Sequence, residues 1–340
     1  MERIHIAFFG PTNSGKSTLV NAIAGQQVSL VSDVPGTTTD PVRKLIELPG
    51  LGPCVLIDTA GLDDTGVLGA ERQRLTRAVL DETDVAVVVN AETSGTLAEM
   101  IQKAGVPVVH YSRGESVESL LERITAAVPK EEDRFLTGDL VKSGDTVLLV
   151  MPQDSEAPKG RLILPQVQVL RELLDRGCNP VCCTPDSLPS ALAALKALPA
   201  LTITDSQVFA RVNRALPATA PLTSFSVLLA AAKGDAAVFA EGAKAIDRLT
   251  RGARVLIAEA CTHVPNTEDI GRVKIPALLR KKADMLVEIA AGNDFPEDLT
   301  PYDLIIHCGA CVATRTLVRA RMRKALLAGV PFTNYGIALA

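Results

Sequence analysis

The residues at the start of the chain form a phosphate-binding pattern. Residues 10–17 read Gly-Pro-Thr-Asn-Ser-Gly-Lys-Ser, which fits G-x-x-x-x-G-K-[ST]. In this pattern the loop N–H groups and the next helix N-terminus surround phosphate oxygens, Lys16 reaches the outer phosphates, and Ser17 can ligate Mg²⁺. The alternative is a glycine-rich turn without a ligand. We expect a nucleotide and Mg²⁺ to be bound by Gly10, Asn13, Ser14, Gly15, Lys16, Ser17 and Thr18.

Two further motifs favour the phosphate-binding interpretation. Residues 58–61, Asp-Thr-Ala-Gly, directly follow a predicted strand. In nucleotide-binding proteins with this motif, the Asp holds Mg²⁺ through a water molecule and the Gly amide senses the γ-phosphate. Residues 35–40, Pro-Gly-Thr-Thr-Thr-Asp, look like a switch segment whose threonine completes the Mg²⁺ shell; Thr38 is preferred and Thr39 is the alternative. No arginine finger or catalytic glutamine is evident after Gly61, so we expect slow hydrolysis dependent on Lys16, Thr38, Asp58 and Gly61.

The three motifs together resemble the translation-factor-related GTPases of the Era and MnmE type, in which the switch segment reads G-T-T-x-D. In that group an Asn at the fourth position of the phosphate loop helps to hold a K⁺ ion in place of an arginine finger. Asn13 occupies this position. The resemblance therefore implies GTP and Mg²⁺ as ligands and makes K⁺ a further candidate. The alternative is that Asn13 only stabilises its own turn.

One part of the GTPase pattern is missing. A guanine-specific site needs [NT]-K-x-D after a later strand, but residues 90–93 read Asn-Ala-Glu-Thr and residues 106–112 lead into Arg113-Gly114-Glu115-Ser116. Residues 85–128 have room for two strands and two helices, one βα unit fewer than the family pattern. Phosphate and Mg²⁺ binding are thus better supported by the sequence than selectivity for the base.

Cysteine and histidine residues form a second constellation near the C-terminus. Cys261-Thr-His263 and His307-Cys308-Gly-Ala-Cys311 hold two of the four histidines and three of the seven cysteines. Each group follows a predicted strand, and parallel strand ends meet at one sheet edge, so the two groups can converge. Thiolates suit Fe–S clusters or Zn²⁺, and three cysteines leave one iron of a cluster open. The alternative is a set of buried thiols, which we expect for Cys54, Cys178, Cys182 and Cys183.

Hydrophobic patterning predicts an α/β fold of three units in series that holds these motifs at strand ends. The first unit has predicted strands Arg3–Phe9, Cys54–Ile57, Val85–Val89 and Val106–His110, with helices from Lys16 and over 117–128. The second has strands Thr146–Val150, Val181–Cys183 and Leu201–Ile203, with a helix between Pro165 and Gly177. The third has strands Val255–Glu259 and Leu304–His307, separated by a helix-rich stretch.

From the phosphate loop to the C-terminus, the chain resembles HydF, the family of GTPase scaffolds that mature [FeFe]-hydrogenase. The most specific marks are C-x-H…H-C-x-x-C, Ile270-Gly-Arg-Val-Lys-Ile-Pro276, Ala157-Pro-Lys-Gly-Arg-Leu-Ile-Leu-Pro165 and Asn334-Tyr-Gly336. The resemblance implies a P-loop G domain that is one βα unit short, then a small α/β dimerisation domain and an α/β [4Fe-4S] domain. We place these domains at residues 1–130, 137–217 and 222–340.

The same resemblance implies a cofactor, a cargo and partners. Cys261, Cys308 and Cys311 would ligate a [4Fe-4S] cluster, with His263 or His307 near the open iron. The cargo would be the diiron precursor of the H-cluster, which the radical-SAM maturases HydE and HydG build and apo-[FeFe]-hydrogenase receives. The predicted middle sheet is too small to cover its own edge strands. An exposed edge of apolar strands favours pairing with a second copy, so we also expect a homodimer.

Composition limits the remaining function classes. A net charge of -4 and a pI near 5.7 argue against bulk electrostatic binding to nucleic acid or to an anionic membrane. No apolar run is long enough for a membrane span and no signal peptide is evident, so we expect a cytoplasmic protein. A second function stays open: a zinc-containing P-loop GTPase that acts as an assembly switch, in which Cys261, His263, Cys308 and Cys311 form a structural site.

Overall fold

The computed structural model describes residues 3–25, 41–61, 67–91, 95–129, 135–153, 160, 162–260, 269–310 and 313–339. The chain forms two compact units, residues 1–131 and 132–340. No helix within the described ranges is both long and apolar enough to cross a membrane.

The first unit is a sheet with helices in its connections. Its strands are β1 (Ile4–Phe9), β2 (Val42–Leu48), β3 (Gly52–Asp58), β4 (Val85–Val89) and β5 (Val108–Tyr111), and its helices are α1 (Lys16–Ala24), α2 (Val67–Glu82), α3 (Gly95–Ala104) and α4 (Val117–Ala127). The strands pair in the order β2-β3-β1-β4-β5, with β2 antiparallel to β3 and the other pairs parallel. Residues 6–9 of β1 and all of β4 are buried, which explains their unbroken apolar runs.

The short form of the G domain is confirmed. Within the described part of residues 85–128, two strands and two helices occur, β4, α3, β5 and α4. The last strand of the order, β5, is therefore an edge strand of the sheet.

The second unit contains two four-stranded parallel sheets. The first comprises β6 (Thr146–Val150), β7 (Asn179–Cys183), β8 (Leu201–Thr204) and β9 (Leu222–Ser224), in the order β7-β6-β8-β9. The second comprises β10 (Arg254–Glu259), β11 (Leu286–Ala291), β12 (Leu304–His307) and β13 (Phe332–Asn334), in the order β11-β10-β12-β13. Thr202 pairs with Leu222, so β9 belongs to the middle sheet although it lies beyond the boundary that we placed before residue 222.

The helices of the second unit connect and cover these sheets. They are α5 (Leu164–Asp175), α6 (Leu188–Ala194), α7 (Phe209–Ala215), α8 (Phe225–Lys233), α9 (Ala236–Arg248), α10 (Ile275–Lys282), α11 (Arg315–Leu327) and α12 (Tyr335–Leu339). Helix α8 packs against α5 and also against α11 and α12. Helix α8 therefore packs between helices of the middle sheet and helices of the C-terminal sheet.

The structure differs from the sequence-based predictions for the second unit in two places. The stretch between β10 and β12 contains the helix α10 but also β11, a strand that the sequence did not predict and that pairs with β10 along six residues. Cys182 was expected in the core, but it is exposed on the edge strand β7. A strand at the edge of a sheet has no neighbouring strand on one side, so an apolar context in sequence does not ensure burial there. Cys54 and Cys178 are buried, as predicted.

A glycine in α9 allows this helix to lie directly on β13. A methyl group at Gly242 would come within 2.1 Å of the backbone oxygen of Phe332. We expect Gly242→Ala to destabilise the second unit by at least about 2 kcal/mol, because the helix or the strand must shift. Urea unfolding followed by circular dichroism measures this loss.

The neighbouring Glu241 supplies the matched control. Its side chain is exposed, and its one hydrogen-bonded partner among the described residues is Lys244, at 2.6 Å, so Glu241→Ala should change stability by less than about 0.5 kcal/mol. A Gly242→Ala protein with the unfolding midpoint of the Glu241→Ala protein would contradict the close-packing argument.

Candidate functional site

The phosphate loop follows β1 and has the backbone that its pattern requires. Gly10 has φ +150° and Gly15 has φ +94°, conformations that side chains rarely adopt. A methyl group at Gly10 would lie 2.6 Å from the carbonyl oxygen of Val89. Asn13 and Thr18 are exposed, whereas Ser14 and Ser17 are half-buried. The loop therefore combines a fixed backbone with an open outer side.

Lys16 points into the loop. Its side chain is buried, and Nζ donates hydrogen bonds to the carbonyl oxygens of Gly10 at 3.0 Å and Pro11 at 2.7 Å. A third contact joins Nζ to Ser14 Oγ at 3.4 Å. The ammonium group is thus held over the loop backbone, where it can exchange a carbonyl for a phosphate oxygen and gain a charge-assisted hydrogen bond.

A cation site lies beside the loop. Ser17 Oγ donates to Asp58 Oδ2 at 2.6 Å, and Asp58 is only 1% exposed. The second carboxylate oxygen, Oδ1, is buried and has no hydrogen-bond partner among the described residues. A buried carboxylate with one unsatisfied oxygen next to a hydroxyl is a donor set that suits Mg²⁺, so the residues fit the ion that the motif implies.

Gly61 connects the second motif to the phosphate loop. A methyl group there would come within 2.2 Å of Thr12 Oγ1, so no other residue type fits without moving the loop. Asp58 itself is placed by β3, whose register puts it opposite Phe8 of β1. The predicted residues Lys16, Ser17, Asp58 and Gly61 are thereby brought together, whereas Thr38 and Thr39 lie outside the described residues.

Asn90 is a loop contact that the sequence analysis missed. It follows β4 with φ +50°, and its Nδ2 donates to the carbonyl oxygen of Ser14 at 2.6 Å. In the sequence, residues 90–93 stand out only as a failed base motif. An Asn directly after a buried strand was the available signal, because Asn tolerates the left-handed conformation.

The acidic residue that follows β5 is already engaged. Glu115 is the one acid in residues 106–116. Its carboxylate forms an ion pair with Arg123 and accepts from Ser119 Oγ at 3.2 Å. Partial burial alone would raise the pKa of Glu115, but the hydrogen bond and charge of Arg123 outweigh it and lower this pKa. Glu115 therefore remains a carboxylate committed to α4.

In the second unit, Cys308 lies at the edge of the sheet where β10 and β12 end. These strands are parallel neighbours, and Ala258 pairs with His307. Cys308 Sγ accepts from the backbone N–H of Ala260 at 3.1 Å and of Ala310 at 3.4 Å. Two N–H donors favour the thiolate form of a cysteine, which is the form that binds metal.

The remaining members of the cysteine constellation, Cys261, His263 and Cys311, lie outside the described residues. In the described part of the chain, no group of three or more His, Cys, Asp or Glu is arranged to hold a metal ion. However, Ala260 and Ala310, which donate to Cys308, immediately precede Cys261 and Cys311 in the sequence. The chemistry of this donor set fits a thiolate-bound metal or Fe–S cluster.

His307 is enclosed by hydrogen bonds. It is 1% exposed, its Nδ1 lies 2.8 Å from the carbonyl oxygen of Cys308, and its Nε2 lies 3.2 Å from Arg321 Nη1. Because the guanidinium can only donate, Nε2 accepts and Nδ1 carries the proton. Burial and the charge of Arg321 lower the pKa of His307 to about 3. A role as iron ligand stays a prediction, and it would require either the contact of Nε2 with Arg321 or that of Nδ1 with the Cys308 carbonyl oxygen to break.

Family models match both sheets of the second unit. The Hydrogen maturase F dimerization domain matches residues 136–234, and the Hydrogen maturase F tetramerization domain matches residues 237–340, together more than half of the chain. The chain belongs to the HydF family. The first unit of this HydF chain matches the 50S ribosome-binding GTPase family over residues 5–112, so it is a GTPase domain.

Curated proteins resemble this HydF chain over its GTPase domain. The tRNA modification GTPase MnmE of Xanthomonas oryzae pv. oryzae is 45% identical over 87 residues, which are 25% of this chain and 19% of that protein. The protein of the same name from Chromobacterium violaceum is 35% identical over 133 residues, 38% of this chain and 25% of that protein. The chain thus spans a quarter or less of the length of these relatives.

Among solved structures, an Aquifex aeolicus Era variant bound to GDP.AlF4- is similar to this HydF chain with a TM-score of 0.29 and 17% identity. The similarity covers 87% of this chain and 97% of the Era chain.

Two of the other sequence marks of HydF, residues 270–276 and 334–336, meet next to Cys308. Residues 270–274 form a π-helical turn in which a methyl group at Gly271 would lie 2.0 Å from the hydroxyl of Tyr335 and 3.1 Å from Glu259 Oε1. Arg272 forms a bidentate ion pair with the buried Glu259, with an Nη2–Oε2 distance of 2.7 Å. The Tyr335 hydroxyl has no hydrogen-bond partner among the described residues, and burial raises its pKa. Residues of these motifs thus place polar side chains together beside Cys308.

Proposed function

We propose that this chain carries a [4Fe-4S] cluster together with the diiron precursor of the H-cluster and delivers the diiron unit to apo-[FeFe]-hydrogenase. The observation that supports this role best is the position of Cys308. Its sulfur accepts hydrogen bonds from the two residues that precede Cys261 and Cys311 in sequence, at a sheet edge lined by family motifs. The radical-SAM maturases HydE and HydG would supply the precursor, which is cargo rather than a resident cofactor.

In this proposal, Cys261, Cys308 and Cys311 hold the cluster, and His263 or His307 lies near the open iron. The cluster supplies an exchangeable coordination position when it is bound. The N–H groups of Ala260 and Ala310 would stabilise a Cys308 thiolate, and the side chain is half-buried. Anaerobic analysis of iron and sulfide in the purified protein tests the proposal; about four iron and four sulfide per chain are expected.

A second candidate is a zinc-containing P-loop GTPase that acts as an assembly switch. The cysteine and histidine donors suit a tetrahedral zinc site as well as a cluster. The same analysis separates the two functions, because a zinc protein is colourless and contains no acid-labile sulfide. One zinc per chain without sulfide would replace the cluster proposal by this one.

We further propose that the GTPase domain hydrolyses GTP slowly, with Lys16 on the outer phosphates, Ser17, Thr38 and Asp58 around Mg²⁺, and Gly61 at the γ-phosphate. The hydrogen bond between Ser17 and Asp58 and the unsatisfied Asp58 oxygen support the Mg²⁺ assignment. Hydrolysis would regulate the scaffold rather than serve as its main activity.

K⁺ should accelerate this hydrolysis through Asn13. The side chain is exposed on the outer side of the loop, where a monovalent cation can reach the phosphates. Such a cation stabilises the charge that develops in the transition state. We expect at least about a tenfold higher rate in K⁺ than in Na⁺, equal to about 1.4 kcal/mol of barrier. Phosphate release measured in both salts, with Asn13→Ala as the comparison, checks this. Equal rates in K⁺ and Na⁺ would count against the ion.

Discrimination between GTP and ATP should be weak. No [NT]-K-x-D motif is present in the sequence, and Glu115 is held by Arg123. A preference of more than about a thousandfold requires roughly 4 kcal/mol of base contacts. Competition between GTP and ATP for a fluorescent nucleotide measures the ratio directly. A ratio above a thousandfold would show that residues other than this motif read the base.

We propose that the chain forms a homodimer through its dimerisation domain. The edge strand β7 carries the exposed Cys182, and Leu164, Val167 and Leu174 of α5 are 44–50% exposed. An uncovered strand edge beside apolar side chains favours pairing with a second copy. Light scattering on the full chain tests this. A monomer at high micromolar concentration would contradict it.

A further inference from the structure

A buried lysine outside the constellation reaches the cysteine loop. Lys233 is the last residue of α8, and it is only 5% exposed. An ammonium group that is removed from water is costly unless hydrogen bonds satisfy it. Burial of this charge therefore indicates a specific contact that the fold maintains.

The ammonium group binds two backbone oxygens that bracket Cys311. Lys233 Nζ donates to the carbonyl oxygen of Ala310 at 2.6 Å and to that of Ala313 at 2.7 Å. Ala310 has φ +50°, a left-handed conformation that is unfavourable for a non-glycine residue. The bonds from Lys233 help to hold this turn in place.

The same turn is attached to the cysteine. The N–H of Ala310 donates to Cys308 Sγ at 3.4 Å, while its carbonyl oxygen accepts from Lys233. One residue thus connects the buried ammonium to the sulfur. A shift of Lys233 would change the direction of a hydrogen bond to a predicted cluster ligand.

Helix α8 fixes Lys233 from the side of the middle sheet. Ser224 of β9 caps the helix by accepting from the N–H of Val227 at 3.2 Å. After Lys233 the helix ends at Gly234, where a methyl group would lie 2.3 Å from the ring of Phe239. Residues 136–234 are the dimerization-domain match, so Lys233 reaches from that domain into the loop of the next.

We propose, on the basis of the cluster function proposed above, that Lys233 is a positioning residue for the Cys308–Cys311 loop and links the dimerisation domain to the cluster. It acts through the loop backbone and not as a ligand. Groups that orient metal ligands from outside the coordination sphere commonly change metal affinity 10- to 100-fold when they are removed. Its positive charge also favours the more negative, reduced state of a nearby cluster.

The test compares Lys233→Met, which removes the charge and the donors, with Lys233→Arg, which keeps both. Lys244→Met is the matched control, because Lys244 is exposed on α9 and, within the described part of the chain, pairs with Glu241 alone. The first measurement is hydrogen exchange of residues 308–316 in the metal-free full chain. We expect about tenfold faster exchange in Lys233→Met alone.

The second measurement uses the reconstituted full chain. Lys233→Met should lose iron to a chelator about 10 to 100 times faster and shift the cluster midpoint potential to more negative values. Lys233→Arg and Lys244→Met should retain both properties. The potential of the cluster that remains bound distinguishes a positioning role from a simple loss of folding.

Three results would overturn the inference. The first is unchanged exchange in Lys233→Met. The second is faster exchange with iron release and potential equal to those of the unsubstituted protein, which would make Lys233 a purely structural anchor. The third is an unsubstituted chain that binds no iron; this result removes the proposed cluster function and the inference with it, whatever the exchange data show.

Discussion

Lys16→Ala is expected to abolish nucleotide binding and hydrolysis. The side chain is buried in the phosphate loop and its ammonium group is held by the carbonyl oxygens of Gly10 and Pro11. Without it, the outer phosphates lose their charge-assisted donor and face the carbonyl oxygens of the loop. Removal of the ammonium group from a buried ammonium–phosphate pair should weaken nucleotide binding by at least about 100-fold, roughly 3 kcal/mol.

Titration with a fluorescent GTP analogue measures the affinity, and phosphate release measures the turnover. Lys103→Ala is the matched control, because Lys103 is exposed in the last turn of α3. Circular dichroism establishes that the Lys16→Ala protein remains folded. Nucleotide binding at the strength of the Lys103→Ala protein would mean that the phosphate loop does not hold a nucleotide.

Cys308→Ala should eliminate the cluster. The sulfur lies at the junction of the two strand ends and accepts from Ala260 and Ala310, so no neighbouring residue among those described can replace it. A cluster with two cysteine ligands left would not survive purification. We expect iron to fall from about four per chain to near zero, together with loss of the ability to activate apo-[FeFe]-hydrogenase.

The chain offers two cysteine controls. Cys182 is exposed on β7, and Cys54 is buried in the GTPase domain, where burial raises the pKa of its thiol to about 11. Neither is expected to bind iron, so Cys182→Ala and Cys54→Ala should retain the full iron content. If iron survived the loss of Cys308 and vanished with Cys182, the ligand set would have to be abandoned.

The sequence predicted the elements whose residues are buried on both faces. The run Val85–Val89 and the run Thr146–Val150 were placed at their observed bounds, because a parallel strand in the centre of a sheet is apolar throughout. Strands with other surroundings were missed. In β2 the exposed and less exposed residues alternate, and β11 contains two alanines and a glutamate. The strand β13 has only three residues.

The site was predictable where a motif carries its own geometry and not where a contact depends on distant parts of the chain. The contact between Ser17 and Asp58 follows from two motifs at neighbouring strand ends. The contacts of Asn90 with Ser14 and of Lys233 with Ala310 join residues 76 and 77 positions apart. No local pattern marks such pairs, since each depends on how helices and strands pack after the chain has folded.

The edge position of β5 has a consequence for how this domain can evolve. The phosphate loop and Asp58 follow β1 and β3, which lie in the interior of the order β2-β3-β1-β4-β5. Among the described residues no strand pairs with the outer side of β5, which uncovers one row of backbone groups and leaves the pairing of β1 with β3 intact. Substitutions at the β5 border are therefore expected to leave the residues of the phosphate loop undisturbed. A lineage can therefore alter the residues at the β5 border while the proposed nucleotide-binding residues that follow β1 and β3 are inherited unchanged.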